Sequence, residues 1–182
     1  MRLFFRLFDS GISMQIFAIV MMLASVASIV VYCKWQRRYK TILLIWLFAC
    51  LLLMLYSAVF RREPHDEISI NLVPLWSIKA IREGFIETLY EKIYNVLFFV
   101  PYGALIGLWF RTPSEGDTHE DRAYSFWNSL KKSTVIGFMT SACIEIIQLI
   151  TRTGTCEIDD VICHTVACVV GEIMGITLCR LW

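Results

Sequence analysis

The sequence predicts an all-α polytopic membrane protein, built as a bundle of about five transmembrane helices with one interfacial amphipathic helix. Hydrophobic residues make up 57% of the 182 residues, and charged residues only 18%. A soluble domain carries about a quarter charged residues. The apolar residues are gathered into blocks, and about 20 of them in a row span the hydrocarbon core. Because a backbone in lipid must satisfy its own hydrogen bonds, these blocks are expected to be helices.

Five apolar blocks set the order of the bundle, and each is bounded by charge. They cover residues 12–33, 41–60, 93–110, 133–151 and 161–179. The first is long enough to span and shows no clear small-residue cleavage site, so we interpret it as a retained helix and not a signal peptide. We expect residues 1–182 to form one membrane domain.

The segment between the second and third blocks, residues 61–92, contains the amphipathic helix. Pro74 excludes a continuous helix through the segment. Four apolar residues after it fall on one helical face: Ile78, Ile81, Phe85 and Leu89. This spacing predicts a helix in the membrane interface or docked across the bundle. The polar start of the 111–132 connection predicts a mobile loop.

Charge predicts the orientation of the bundle. The link at residues 34–40 carries four basic residues and no acid, which is typical of a cytoplasmic loop. It predicts an N-terminus outside the cell and a cytoplasmic C-terminus. The net charge of +1 argues against a nucleic-acid partner.

Polar residues inside or beside the blocks are the candidate site. Ionisable groups in spans are costly, so each is a functional candidate. The third block enters, the fourth leaves and the fifth enters at the same membrane face. By the helical rise, Glu145 lies about 10 Å below Arg152. The polar groups therefore converge in one leaflet, which by the predicted orientation is the outer one.

Two roles are assigned to these residues. Glu145 and Asp160 are the candidate catalytic pair, with Glu145 as the acid–base or hydrogen-bonding centre. The candidate ligand-binding residues are Asn95, Gln148, Arg152, Asp159 and His164. The alternative is structural, because buried polar groups in bundles often only join helices. For Asp159 we favour a cap of the fifth helix, while Asp160 and His164 fit either reading.

We predict no metal and no cofactor. Glu145, Asp160 and His164 are ligand types that divalent cations accept. The chain nevertheless has no CxxC, HExxH or nucleotide-binding motif. Whether the protein is an enzyme stays open.

Three features lie outside this set. Glu172 is close to mid-membrane, where we expect a neutral, hydrogen-bonded acid, with a proton path as the alternative. Ala167, Gly171 and Gly175, spaced by four, predict a helix-packing face. A proline and a glycine at 101 and 103 predict a kink that opens a cavity or accommodates a neighbour.

Four motifs resemble the VanZ-like family of small bacterial membrane proteins. They are NLVPLW at 71–76, NVLFFVPYG at 95–103, IEIIQL at 144–149 and RTGTCEIDDVICHTVACVVG at 152–171. The resemblance covers about residues 61–179. It implies family positions at Asn95, Pro101, Gly103, Glu145, Gln148, Gly154, Asp159 and Asp160. The chain departs at four positions: His164 stands where asparagine is usual, Ala167 for glycine, Cys156 for an aromatic residue and Glu157 for aspartate.

The resemblance implies a multi-pass protein of the bacterial cytoplasmic membrane. The family's namesake is associated with low-level resistance to the glycopeptide teicoplanin. The expected function is recognition of a lipid-linked cell-wall precursor, a membrane lipid headgroup or a glycopeptide at the outer leaflet, in glycopeptide resistance or cell-envelope homeostasis. Two alternatives stay open: an enzyme acting on a lipid-linked phosphate or glycan, and a small transporter or proton-coupled permease, motivated by Glu172 and Pro101. The oligomeric state is not predicted.

Overall fold

The computed structural model describes residues 40–60, 68–110 and 119–181, together with Leu23. These residues form five α-helices and two very short strands. The helices are α1 (Lys40–Leu55, continued by a π-helical turn, Tyr56–Phe60), α2 (Trp76–Arg82), α3 (Ile86–Phe110), α4 (His119–Thr151) and α5 (Ile158–Leu181). The strands are β1 (Ile70–Asn71) and β2 (Cys156–Glu157).

Among the described residues, four stretches of helix are long and apolar enough to cross a membrane. They are Lys40–Val59, Ile86–Phe110, Ala123–Thr151 and Ile158–Leu178. They correspond to the last four predicted blocks, and the all-α membrane bundle is confirmed. The first block, residues 12–33, lies outside the described residues, as does most of the basic link at 34–40. The count of five spans and the orientation therefore stay predictions.

Glycines bring α3 and α5 into direct backbone contact. A Cβ on Gly103 would lie 2.1 Å from the carbonyl oxygen of Cys168, and one on Gly171 would lie 1.9 Å from that of Val100. Only glycine allows this approach, which agrees with the packing face predicted on α5. The helix α3 is continuous through Pro101, and Gly103 allows the close packing against α5. Among the described helices, these two form the most extensive contact, and the apolar core lies around it.

The predicted amphipathic helix is wrong in its extent. The helix α2 ends at Arg82, and Gly84 follows with a φ of +96°. The Gly84 amide donates to the carbonyl of Ile81, and the Phe85 amide to that of Ala80. This pair of bonds is a Schellman motif, which ends a helix and turns the chain. Leu89, assigned to the amphipathic face, belongs instead to the spanning helix α3.

Two further boundaries differ from the prediction. The helix α4 begins at His119, so much of the connection predicted as a mobile loop is helical, while residues 111–118 lie outside the described part. At its other end Arg152 has a φ of +57°. The Arg152 amide donates to Leu149 and the Thr153 amide to Gln148, a second Schellman motif without glycine. The turn directs the chain into β2.

The strands β1 and β2 are parallel and pair Ile70 with Cys156 and Asn71 with Glu157. The Cys156 amide also donates to the carbonyl of Ser69 at 3.0 Å. This short ladder, which the sequence did not predict, attaches the segment before α2 to the connection between α4 and α5. It holds α2 at the end of the bundle where the candidate site lies.

Candidate functional site

Four spanning helices place their polar residues at one end of the bundle. The helices α1 and α4 end there, and α3 and α5 begin there. The predicted convergence of polar groups at one membrane face is therefore seen in the structure, and α2 and the two strands lie at the same end.

A buried lysine is the centre of the charged network. The ammonium of Lys92 lies 2.9 Å from Oε2 of Glu157 and 2.5 Å from Oδ1 of Asp160. The amide of Asn95, one turn along α3, donates to the same Asp160 oxygen at 2.9 Å. All three charged residues are buried, with Lys92 only 9% exposed. One ammonium thus serves two carboxylates, which leaves the network with an excess of negative charge when both are ionised.

Glu157 joins this network to Glu145 and to α2. Its Oε2 accepts a hydrogen bond from the indole of Trp76 at 3.2 Å. Its backbone amide donates to Oε2 of Glu145 at 3.0 Å. Glu145 is 2% exposed and lies on the last turns of α4. The carboxylate of Glu145 therefore orients the β2 backbone, and through it the side chain that contacts Lys92.

Two groups in the connection between α4 and α5 have raised pKa values. Burial raises the pKa of Glu157, with smaller contributions from Asp160 and Glu91, and Lys92 opposes the change. Burial likewise raises the pKa of the Cys156 thiol, helped by the carboxylates of Glu145 and Glu157. Both pKa values are raised because this end of the bundle has low polarity and carries negative charge.

Asp159 caps α2, which corrects the predicted cap of its own helix. Its Oδ1 accepts the Leu75 amide at 2.5 Å, and Oδ2 accepts the Ser77 amide at 2.9 Å and the Ser77 hydroxyl at 2.5 Å. These donors belong to the first turn of α2, where helical amides have no intrahelical partner. Asp159 therefore fixes α2 over the site, and its carboxylate is occupied by this task.

Gln148 and His164 each form a contact between two segments of the bundle. The Gln148 amide donates to the carbonyl of Ala58 in the π-helical turn, at 3.2 Å. Six residues into α5, Nδ1 of His164 lies 2.6 Å from the hydroxyl of Ser141. The His164 ring is stacked on Phe99, with centroids 4.0 Å apart.

These groups surround a cavity of about 340 Å³. It is lined by residues of α1 and its π-helical turn, α3, α4 and α5. Five of the predicted site residues reach it: Asn95, Glu145, Gln148, Asp160 and His164. Two do not line it, namely Asp159, which faces α2, and Arg152, whose side chain is exposed at the end of α4.

Sequence reasoning missed Lys92 and Glu157. Lys92 directly precedes the apolar block at 93–110, so the sequence predicts that it bounds the span, and it lies instead six residues inside α3. The available signal was its position one helical turn before Asn95, on the face that carries the candidate site. A cluster of acids at the start of α5 also requires a cation nearby when it is buried.

Glu172 lies away from the charged network and contacts Ser129. It is twelve residues beyond Asp160 on α5, about 18 Å along the helix. Its Oε1 accepts a hydrogen bond from the Ser129 hydroxyl at 2.6 Å, and it is 0% exposed. Gly107 lies directly against it, since a Cβ there would be 2.5 Å from the Glu172 side chain. Glu172 is therefore enclosed by helix packing and does not line the cavity.

No group of three or more histidine, cysteine or acidic side chains in the described ranges has the arrangement of a metal site. The described lining of the cavity presents carboxylates, amides, hydroxyls, an imidazole and aromatic rings. Such a set recognises polar and charged groups by hydrogen bonds and electrostatic attraction.

The sequence model of the family described as VanZ/LLP1 matches residues 40–182. The matched region includes every helix described above and all residues of the charged network. No curated protein and no solved structure matches the chain significantly.

Proposed function

Since the chain belongs to the VanZ/LLP1 family, we propose that it binds a polar group of a cell-envelope molecule in the cavity between α1, α3, α4 and α5. The ligand is the headgroup of a membrane lipid, a lipid-linked cell-wall precursor, or a substituent of a glycopeptide. The observation that carries the proposal is the cavity itself, which combines buried polar side chains with a position at one end of the spanning helices.

The position of the cavity suits a ligand held at the membrane interface. Its lining changes along α3 from exposed residues near the start, Glu87 and Tyr90, to buried aromatic residues deeper in the bundle, Phe98 and Phe99. A headgroup could enter from the interface while its acyl or isoprenoid chain stays in the lipid. By the basic link at residues 34–40, we assign this interface to the outer leaflet.

The contacts favour binding over catalysis and transport. Asp160 is held by Lys92 and Asn95, and Glu145 by the Glu157 amide, so both carboxylates are already engaged in ordering the site. A transporter would need polar groups continuing along a path, and Glu172 is instead closed off by Gly107. We therefore assign Glu145, Asp160, Asn95 and Gln148 to shaping and lining a binding site.

The test is glycopeptide tolerance of a sensitive bacterium that expresses the protein. We expect the wild-type chain to raise the teicoplanin concentration needed to stop growth, and Asn95→Leu to remove most of that effect at equal membrane abundance. Ile146→Phe is the matched control, because Ile146 is exposed on α4 and lies outside the cavity. Equal tolerance with Asn95→Leu and wild type would contradict a role for the cavity.

The leaflet is tested separately by labelling Cys156 with an impermeant maleimide in intact cells. The thiol is half-buried in the connection between α4 and α5. We expect labelling from outside, absent in Cys156→Ser. Labelling that requires permeabilised cells would assign the cavity to the cytoplasmic leaflet.

A further inference from the structure

The turn between β1 and α2 exposes a group of large apolar side chains. Leu72, Val73 and Leu75 are 67%, 62% and 58% exposed, and Ile70 in β1 is 55% exposed. Single exposed aliphatic residues are ordinary on a protein surface, but these four fall within one short stretch of chain. A concentration of this kind marks a surface that contacts a partner or a membrane.

The backbone of Leu75 adds a second, independent observation. Its φ is +62°, in the left-handed region that a bulky aliphatic residue rarely adopts. Glycine or asparagine would adopt this conformation with less strain. The turn therefore keeps a strained leucine with a largely exposed side chain, which is unfavourable in water on both counts. Strain retained in this way points to a function of the side chain.

Hydrogen bonds fix the turn to the end of the bundle. The Val73 amide donates to Oδ1 of Asn71 at 3.2 Å, and the Leu75 amide donates to Oδ1 of Asp159 at 2.5 Å. Asn71 is also paired with Glu157 in the short parallel ladder. Because these contacts hold the backbone, burying the apolar side chains of the turn in a partner would order little additional chain.

The start of α5 gives the level of the turn in the membrane. The spanning part of α5, Ile158–Leu178, has 21 residues. At about 1.5 Å per residue it is about 31 Å long, which matches a hydrocarbon core of about 30 Å. Asp159, at the beginning of this part, therefore lies at the boundary between hydrocarbon and headgroups. The turn lies at the same level, because the Leu75 amide is bonded to that carboxylate.

The beginning of α3 connects the turn to the lipid-facing surface of the bundle. Four exposed apolar residues of α3, at offsets of three, seven and ten from the first, lie on one helical face: Ile86, Leu89, Ile93 and Val96. An exposed apolar face of a spanning helix faces lipid. Phe85, which directly precedes this face, is 60% exposed. The helix α2, about 10 Å long, separates the turn from it, so the nearest apolar partner for the turn is the same lipid.

We propose that the turn at residues 70–75 inserts its apolar side chains into the membrane, at the boundary between the hydrocarbon core and the lipid headgroups. Its partner is the lipid of the leaflet that contains the cavity. The exposed charges of α2, Lys79 and Glu83, stay in the headgroup layer or in water. The inserted turn fixes α2 and the connection that carries Glu157 at the membrane surface. The inference goes beyond the proposed function and does not depend on what the cavity binds.

The experiment is photocross-linking of the full-length protein in vesicles of phosphatidylethanolamine and phosphatidylglycerol. Leu72 or Val73 is replaced by p-benzoylphenylalanine, which on irradiation inserts into C–H bonds of neighbouring molecules, and lipid adducts are quantified by mass spectrometry. Neither residue has a positive φ, so the larger side chain adds no backbone strain there. We expect lipid adducts at both positions, at a yield at least about fivefold higher than at position 83.

Two control positions define the scale of the yield. The same probe in place of Ile146, exposed on the spanning helix α4, reports contact with lipid, and in place of Glu83 it reports the polar side of α2. A yield at positions 72 and 73 equal to that at position 83 would overturn the inference. Cross-links to residues 12–33 or to a second copy of the chain, without lipid adducts, would overturn it as well. Either result would leave the cavity and its glycopeptide test unaffected.

Discussion

Removal of the Lys92 ammonium is the most informative perturbation of the charged network. Lys92→Met keeps most of the side-chain volume and removes the charge. Glu157 and Asp160 would then face one another without their cation, in a site where Lys92 is 9% exposed. Breaking a buried ion pair by removing one partner costs about 3–5 kcal/mol, because the other charge stays buried and uncompensated.

A double-mutant cycle separates the free-energy cost of the lost ion pairs from the cost of lost packing. Asp160→Asn in the Lys92→Met background removes one of the two stranded carboxylates and should recover at least about 1 kcal/mol relative to the sum of the single changes. Lys79→Met is the matched control, since Lys79 forms an exposed pair with Glu83, 3.8 Å apart. An exposed helical pair contributes about 0.3–0.5 kcal/mol.

The assay is unfolding of the purified protein in mixed micelles by increasing denaturing detergent, followed by Trp fluorescence. We expect Lys92→Met to lower the free energy of unfolding by about 3–5 kcal/mol and Lys79→Met to change it by less than about 0.5 kcal/mol. If the two substitutions have equal effects, or if the Asp160→Asn change is additive with Lys92→Met, the ion network does not hold the site together and the reasoning is refuted.

Three further predictions concern packing, capping and the thiol. Gly103→Ala should destabilise the protein by about 1–3 kcal/mol or more in the same unfolding assay. Gly175→Ala should cost less, since a Cβ there would lie no nearer than 3.1 Å from its neighbours. Equal costs would contradict the close contact of α3 with α5. Asp159→Ala should remove about 1–2 kcal/mol of capping energy and increase amide exchange in α2; increased exchange at the start of α5 alone would favour the cap of its own helix. Because the pKa of the Cys156 thiol is raised, maleimide labelling should increase more between about pH 8 and 9 than the roughly threefold of an ordinary thiol. An increase of about threefold would refute the shift.

The sequence predicts most of this architecture because spanning a membrane imposes strong local requirements. Long apolar blocks must be helical, and their order alone brings Asn95, Glu145 and Asp160 to one end of the bundle. The small residues of α5 likewise indicate a packing face wherever they occur in a spanning helix, and Gly171 has that role in the structure.

The wrong predictions, for Lys92 and Asp159, involve contacts between residues far apart in the chain. Lys92 and its partners are 65 and 68 residues apart, so local periodicity carries no trace of the pairing. A lysine beside an apolar block normally bounds it, and this one is buried because two acids from another segment neutralise it. Asp159 caps a helix 82 residues earlier for the same reason: the ladder between β1 and β2 brings the two segments together.

The glycine at position 84 shows how a single residue changes an amphipathic pattern into two helices. The apolar spacing from Ile78 to Leu89 continues through it, which predicts one helix. A φ of +96° at Gly84 instead ends α2 and allows α3 to enter the bundle at a new angle. Periodicity alone does not distinguish a glycine tolerated within a helix from one that ends it.

Occupation of the cavity is the central claim, and a cavity-filling substitution tests it most directly. Ser57 lines the cavity from the π-helical turn and takes no part in the Lys92 network. We expect Ser57→Phe to remove most of the gain in teicoplanin tolerance at equal membrane abundance, while the exposed control Ile146→Phe keeps that gain. Undiminished tolerance with a correctly folded Ser57→Phe protein would contradict the account, because the cavity would then not be the site that acts.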